Sequence, residues 1–71
     1  MKEVRDCLKR LTCVIVLEEI GKIEMLYKRQ KTTFTLPIGE SITIERDEIV
    51  TTVNRRTTFD YDIQSYIKTS K

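Results

Sequence analysis

The chain has 71 residues, 39% hydrophobic and 34% charged, with 13 basic residues against 11 acidic ones. That balance excludes an apolar-poor disordered chain, and a net charge of +2 makes no overall electrostatic case for nucleic acid, so any basic footprint has to be local. A single domain spanning residues 1–71 is implied, and a domain of this size buries only about 60% of its unfolded surface, which makes a homo-oligomer, a dimer or higher, the expectation.

Residues 1–11, MKEVRDCLKRL, place Val4, Leu8 and Leu11 at i, i+4 and i+7, the period of an amphipathic helix. Lys2, Arg5 and Lys9 would share its outer face, and Asp6 would pair with Arg10 one turn on. From Thr12 to Glu19 the pattern changes to an unbroken apolar run, Cys13 to Leu17, β-branched in its middle. Such a run suits a strand at the centre of a sheet. It is far shorter than the ~20 residues that cross a bilayer, and no targeting segment is visible, so a cytoplasmic protein with no membrane partner is expected. Ile20, Gly21 and Lys22 form a turn, and Ile23, Met25 and Tyr27 alternate with Lys22, Glu24, Leu26 and Lys28 as the returning, half-buried strand. Lys28, Arg29, Gln30 and Lys31 contain no Gly or Pro and read as a bend or bulge in one long strand.

The stretch from Thr32 to Val53 organises the rest. Phe34, Leu36 and Ile38 share one parity, and so do Ile42 and Ile44, which is the period-two signature of half-buried strands. Pro37 has no amide to donate and Gly39 can take φ > 0, so Leu36 to Glu40 reverses the chain between them. Glu45 to Glu48 is a polar break, after which Ile49, Val50 and Val53 form a further strand. Beyond Arg56, Phe59, Ile63, Tyr66 and Ile67 recur at helical spacing, with Thr58 or Asp60 as a cap and Lys68 near the end. The alternative there is a strand through Thr57 to Ile63, for which Phe59, Tyr61 and Ile63 have the right parity.

The fold class expected is α+β: a five-strand antiparallel meander or partly closed small β-barrel with a short helix at each terminus. Its core would hold Val4, Leu8, Leu11, Val14, Val16, Ile23, Met25, Phe34, Leu36, Ile42, Ile44, Val53, Ile63 and Ile67.

Chemistry is sparse. Histidine, the commonest general base, is absent. Cys7 and Cys13 alone do not make a zinc site, and reduced thiols that pack as small hydrophobes are expected. With two glycines in the chain there is no phosphate-cradling loop. The acidic pairs Asp47 with Glu48 and Asp60 with Asp62 fall at a turn and a helix start, where carboxylates serve solubility and capping. No catalytic residue, metal or cofactor is assigned, and the chain reads as a non-enzymatic binding or regulatory module.

Two partner classes stand open. Lys28, Arg29 and Lys31 at one strand junction, and Arg55 with Arg56 at the end of another strand, would converge on one rim of a meander with Tyr27 beside them, a surface suited to nucleic acid. The alternative is a protein-interaction module, a small inhibitor or adaptor, acting through a sheet edge or a terminal helix. Gly39, Glu40, Ser41, Ile42, Thr43 and Ile44 resemble the Gly-Glu-Ser-Ile-x-Ile hairpin of the carbon-storage-regulator family of small RNA-binding β-dimers. That family has a Leu-Thr-Arg strand before the hairpin, whereas Thr35, Leu36, Pro37 and Ile38 stand here, so no RNA-contact residue is carried over. In layout alone, a short helix followed by about five strands is similar to the Sm-like and SH3-like small barrels.

Overall fold

The computed structural model describes residues 1–27 and 29–68, less the side chains of Leu26 and Tyr27. Period-two alternation carries nearly all of it. Among the described residues seven strands follow one another: β1 (Lys2–Arg5), β2 (Leu11–Leu17), β3 (Lys22–Tyr27), β4 (Gln30–Thr35), β5 (Ser41–Arg46), β6 (Ile49–Arg55) and β7 (Tyr61–Ile67). They pair as two antiparallel sheets, one ordered β1-β2-β3-β4 and the other β5-β6-β7. The shortest principal extent is 17 Å, which suits two layers packed about 10 Å apart.

Register decides which side chains line the space between the layers. In the first sheet Val4 lies opposite Cys13, Cys13 opposite Met25, Ile15 opposite Ile23, and Ile23 opposite Phe34. In the second, Ile42, Val53 and Ile63 form one row, and Arg55 stands opposite Tyr61 in the next. Val4, Cys13, Ile15, Ile23, Leu36, Val53 and Tyr61 are buried together, drawing on both sheets, with Met25, Phe34, Ile42, Ile44 and Ile63 packed around them. Fully burying a Val or Ile contributes roughly 1.5–3 kcal/mol, so this shared layer is the main reason the two sheets adhere.

The α+β expectation is overturned, because no helix occurs among the described residues. An eleven-residue amphipathic helix is marginal in water, whereas Lys2–Arg5 as a strand completes one side of β2 and still buries Val4. The Asp6–Arg10 ion pair does form, at 3.0 Å, but across a loop in which Lys9 sits at φ 66°. Asp6 organises that loop by accepting from the Leu8 and Arg10 amides at 2.9 Å each. Its burial alone would raise the carboxyl, yet hydrogen bonds from the Arg10 and Leu8 amides and from the Arg10 guanidinium outweigh it and hold the group below the ordinary aspartate value. Leu8 and Leu11 are exposed rather than core.

At the other terminus, Tyr61 and Ile63 obey the strand parity and face inward as β7, while Tyr66 and Ile67 are exposed. β2 buries Cys13 and Ile15 and leaves Val14 and Val16 half-buried on its other face, the opposite parity to the one expected. Burial pushes the Cys13 thiol up to about 11, whereas Cys7 is exposed, and both are free.

The single meander is overturned as well. Lys28 lies outside the described residues, but Tyr27 opposite Gln30 and Arg29 at φ 67° make β3 and β4 a hairpin rather than one bent strand. Leu36 to Glu40 then carries the chain from one sheet to the other. The Leu36 amide donates to Gly21 O at 2.8 Å, still beside the first sheet, and the Gly39 amide donates to Arg55 O at 2.7 Å, already on the second. The polar break at Asp47 and Glu48 is a tight hairpin turn with φ of 51° and 67°, the hand that matches strand twist.

Both glycines take positive φ, 75° at Gly21 and 88° at Gly39, but their surroundings differ. A Cβ at Gly21 would collide with the Leu36 carbonyl oxygen and stand 2.7 Å from an Arg55 guanidinium nitrogen, while one at Gly39 would meet nothing within 4 Å. Gly39→Ala should therefore cost about 1 kcal/mol of backbone strain, and Gly21→Ala at least 2 kcal/mol more. Urea midpoints check this, and equal losses at the two sites would contradict the placement of Gly21.

Candidate interaction surface at the Arg55 end

Arg55 is the last residue of β6 and shares the parity of Ile49, Thr51 and Val53, so its side chain enters the space between the sheets. It is 4% exposed. Its guanidinium donates to Leu36 O at 2.9 Å, Glu19 O at 2.7 Å, Glu18 O at 3.2 Å and, more weakly, Thr58 O at 3.4 Å. Those acceptors belong to the β2–β3 turn, the β4–β5 crossing and the β6–β7 turn. Tyr61 seals the cluster: its ring centroid lies 5.7 Å from Arg55 Cζ, and its hydroxyl donates to Glu18 O at 2.8 Å. The Arg55 main chain joins in, with its amide on Glu40 O at 3.0 Å. Only Nε lacks a partner.

A buried cation without a carboxylate partner is costly, and it is tolerated here because a planar fork of donors meets several carbonyls at once. The consequence is geometric. Each of the three loops has a carbonyl fixed on one guanidinium, so their tips are gathered at one end of the sandwich. On those tips stand Ile20, Ile38 and Phe59, and beside them Leu17 ends β2; each is within two residues of a carbonyl bound by Arg55 and more than half exposed, at 53%, 55%, 60% and 51% respectively. Large apolar side chains exposed singly need no explanation, whereas four on segments whose carbonyls meet at one guanidinium make this end the candidate interaction surface. Leu8 and Ile67, also exposed, lie at the opposite end, where the Cys7 amide donates to Ser65 Oγ at 2.9 Å.

The basic residues singled out in the sequence are dispersed. Arg29 is exposed at the β3–β4 tip, and Lys31 beside it pairs with Glu24 at 3.4 Å. Arg56 is exposed and pairs with Asp62 at 3.1 Å. Arg55 is committed to carbonyls. Lys28 and the Tyr27 side chain lie outside the described residues. The Arg55 end adjoins Gly21 and Lys22 at the start of β3, whereas Arg29 follows its end, so about 17 Å of strand separates the two groups. Among the described residues, no three His, Cys, Asp or Glu side chains stand close enough together to hold a metal ion, and no helix is long and apolar enough to cross a membrane.

No family model, curated protein or solved structure matches the chain. The residues that resembled the carbon-storage-regulator hairpin divide between the crossing, Gly39 and Glu40, and the edge strand β5. The apolar tips went unassigned in the sequence, although a signal was present: Ile20, Ile38 and Phe59 each sit immediately before Gly or Asp at a turn, outside any buried strand face.

Replacing Arg55 by Lys keeps the charge and loses the fork. Arg55→Lys should therefore lower stability by about 2–3 kcal/mol, as several buried carbonyls lose donors, while Arg56→Ala should be indistinguishable from wild type in a urea melt. Coincident midpoints for Arg55→Lys and wild type would show that the guanidinium does not hold the loops.

Proposed function

We propose that the protein is a non-enzymatic protein-interaction module that binds through the loop end gathered by Arg55. The observation that carries this reading is the set of four exposed apolar side chains, Leu17 at the end of β2 and Ile20, Ile38 and Phe59 on three loops whose backbones are bonded to one buried side chain. Interface cores are built from such residues, and anchors held rigid before binding lose less conformational freedom on association. The open edges of the first sheet offer less. β1 is short and carries a bulge beside Arg5, and β4 leaves Gln30, Lys31, Thr32 and Thr33 exposed, the polar, charged character that discourages strand addition. Interaction through a terminal helix has no element to act through among the described residues. The nucleic-acid reading loses its common rim, since Arg55 is internal and Arg29 lies far from Arg56.

Two NMR titrations of the ¹⁵N-labelled chain test the proposal. A low concentration of isopropanol, a probe that collects at apolar binding surfaces, should shift the amides of Ile20, Ile38 and Phe59 most, whereas short RNA or DNA at about 50 mM salt, where non-specific binders register, should shift little. Isopropanol shifts spread evenly over the surface would contradict the proposal. Nucleic-acid shifts centred on Arg29 and Lys31 would replace it with the competing reading.

A further inference from the structure

β5 lies at one side of the three-stranded sheet, and among the described residues no strand pairs with its outer side. β7, the other edge of that sheet, has the β1–β2 loop beside it, through the Cys7 amide on Ser65 Oγ at 2.9 Å. The β5–β6 register runs from Ser41 opposite Asn54 to Arg46 opposite Ile49 without a shift, so β5 carries none of the bulges that blunt an edge. Its centre, Ile42, Thr43 and Ile44, is β-branched throughout, the composition that suits pairing. Only Asp47 and Glu48 join Arg46 to Ile49, both at positive φ, which makes Arg46 and Ile49 the hydrogen-bonded pair of a two-residue hairpin. By alternation Ile44 and Ile42 also bond β6, while the amides and carbonyls of Ser41, Thr43 and Glu45 point away from it. Such a row is a template for another strand.

The strand that fits this edge is β5 itself. In an antiparallel pair the outward-pointing groups must meet each other, so a two-fold axis falls on a residue, and Thr43 and Ile44 are the central choices. An axis at Ile44 sets Ile42 against Arg46, Thr43 against Glu45, and Ser41 against the turn residue Asp47. An axis at Thr43 engages all three outward residues and sets Ile42 against Ile44, Ser41 against Glu45 and Glu40 against Arg46, each twice. Apolar then meets apolar, and no like charges stand opposite one another. Ile42 and Ile44 are half-buried and packed against the core, so their contact extends the layer between the sheets. We propose that two copies of the chain pair through β5 about a two-fold axis at Thr43, joining their three-stranded sheets into one. Antiparallel pairing points the two Arg55 ends away from each other, so the loop end stays open and the two proposals stand or fall separately.

Sedimentation equilibrium of the full-length chain tests the pairing. The mass should rise from 8.4 kDa toward twice that value as the concentration approaches about 1 mM, the weak end of specific association. Hydrogen exchange at the Thr43 amide should slow over the same range. Thr43→Pro removes an amide that β6 does not use, at a position where edge strands accept proline, and should weaken the dimer about tenfold or more, as two hydrogen bonds are lost. Glu40→Arg and Arg46→Glu each set like charges opposite one another and should each pair more weakly than wild type, whereas an equimolar mixture of the two variants sets opposite charges together and should restore pairing. A chain that stays monomeric at about 1 mM would overturn the proposal, and so would a dimer whose Thr43 exchange ignores concentration, because that dimer pairs elsewhere. A mixture no tighter than its components would overturn the axis at Thr43.

Discussion

One buried guanidinium sets the terms for the rest of the molecule. Arg55 comes from β6 in the three-stranded sheet, but two of its strongest acceptors, the carbonyls of Leu36 and Glu19, belong to the chain around the four-stranded sheet. Removing a cation from water costs several kcal/mol unless its donors are met, and burying carbonyls without donors costs about 1–3 kcal/mol each. Each side therefore needs the other. The apolar layer of Val4, Ile15, Ile23 and Val53 brings the sheets together without fixing how they meet, since burial is non-directional. The clamp is directional, and it sets which ends coincide.

The clamp also explains why the loop end is the place to look for function. Loops carry much of the binding in small folds because a rigid scaffold positions them. Here the positioning is unusually direct, with the β2–β3 turn, the β4–β5 crossing and the β6–β7 turn each bonded to the same side chain. Gly21 completes the arrangement by leaving the space that Leu36 O and the Arg55 fork occupy. Stability and the placement of the loops are then consequences of one contact.

Much of this was legible in the sequence. β3 and β5 follow from alternation, β2 from its unbroken apolar run and β6 from the apolar residues after a polar break, Gly21 and Gly39 take the positive φ their turns require, and the Asp6–Arg10 pair forms. The terminal helices failed because periods of two and 3.6 are hard to separate over short segments: Val4, Leu8 and Leu11 fit a helix, but only Val4 is buried. The sheet break at Leu36 to Glu40 was hidden because a reversal and a crossing use the same residues, Pro and Gly. Arg55 was misplaced by residue type. Its parity with Thr51 and Val53 points inward, but arginine is so seldom fully buried that composition outweighed position. Once Arg55 is internal, the basic rim separates and the loops that carry the apolar tips are tied to one side chain.

Native-state hydrogen exchange tests the clamp most directly, by comparing amides that flank it from the two sheets. Gly21 donates to Leu17 O at 3.0 Å and Leu36 to Gly21 O at 2.8 Å on one side, while Gly39 donates to Arg55 O at 2.7 Å and Arg55 to Glu40 O at 3.0 Å on the other. If Arg55 binds the sheets into one cooperative unit, all four amides should open with one free energy, equal to that of Val53 in the shared core. Gly21 and Leu36 exchanging at a lower free energy than Gly39 and Arg55 would show that the sheets part at this end without global unfolding, and would contradict the account.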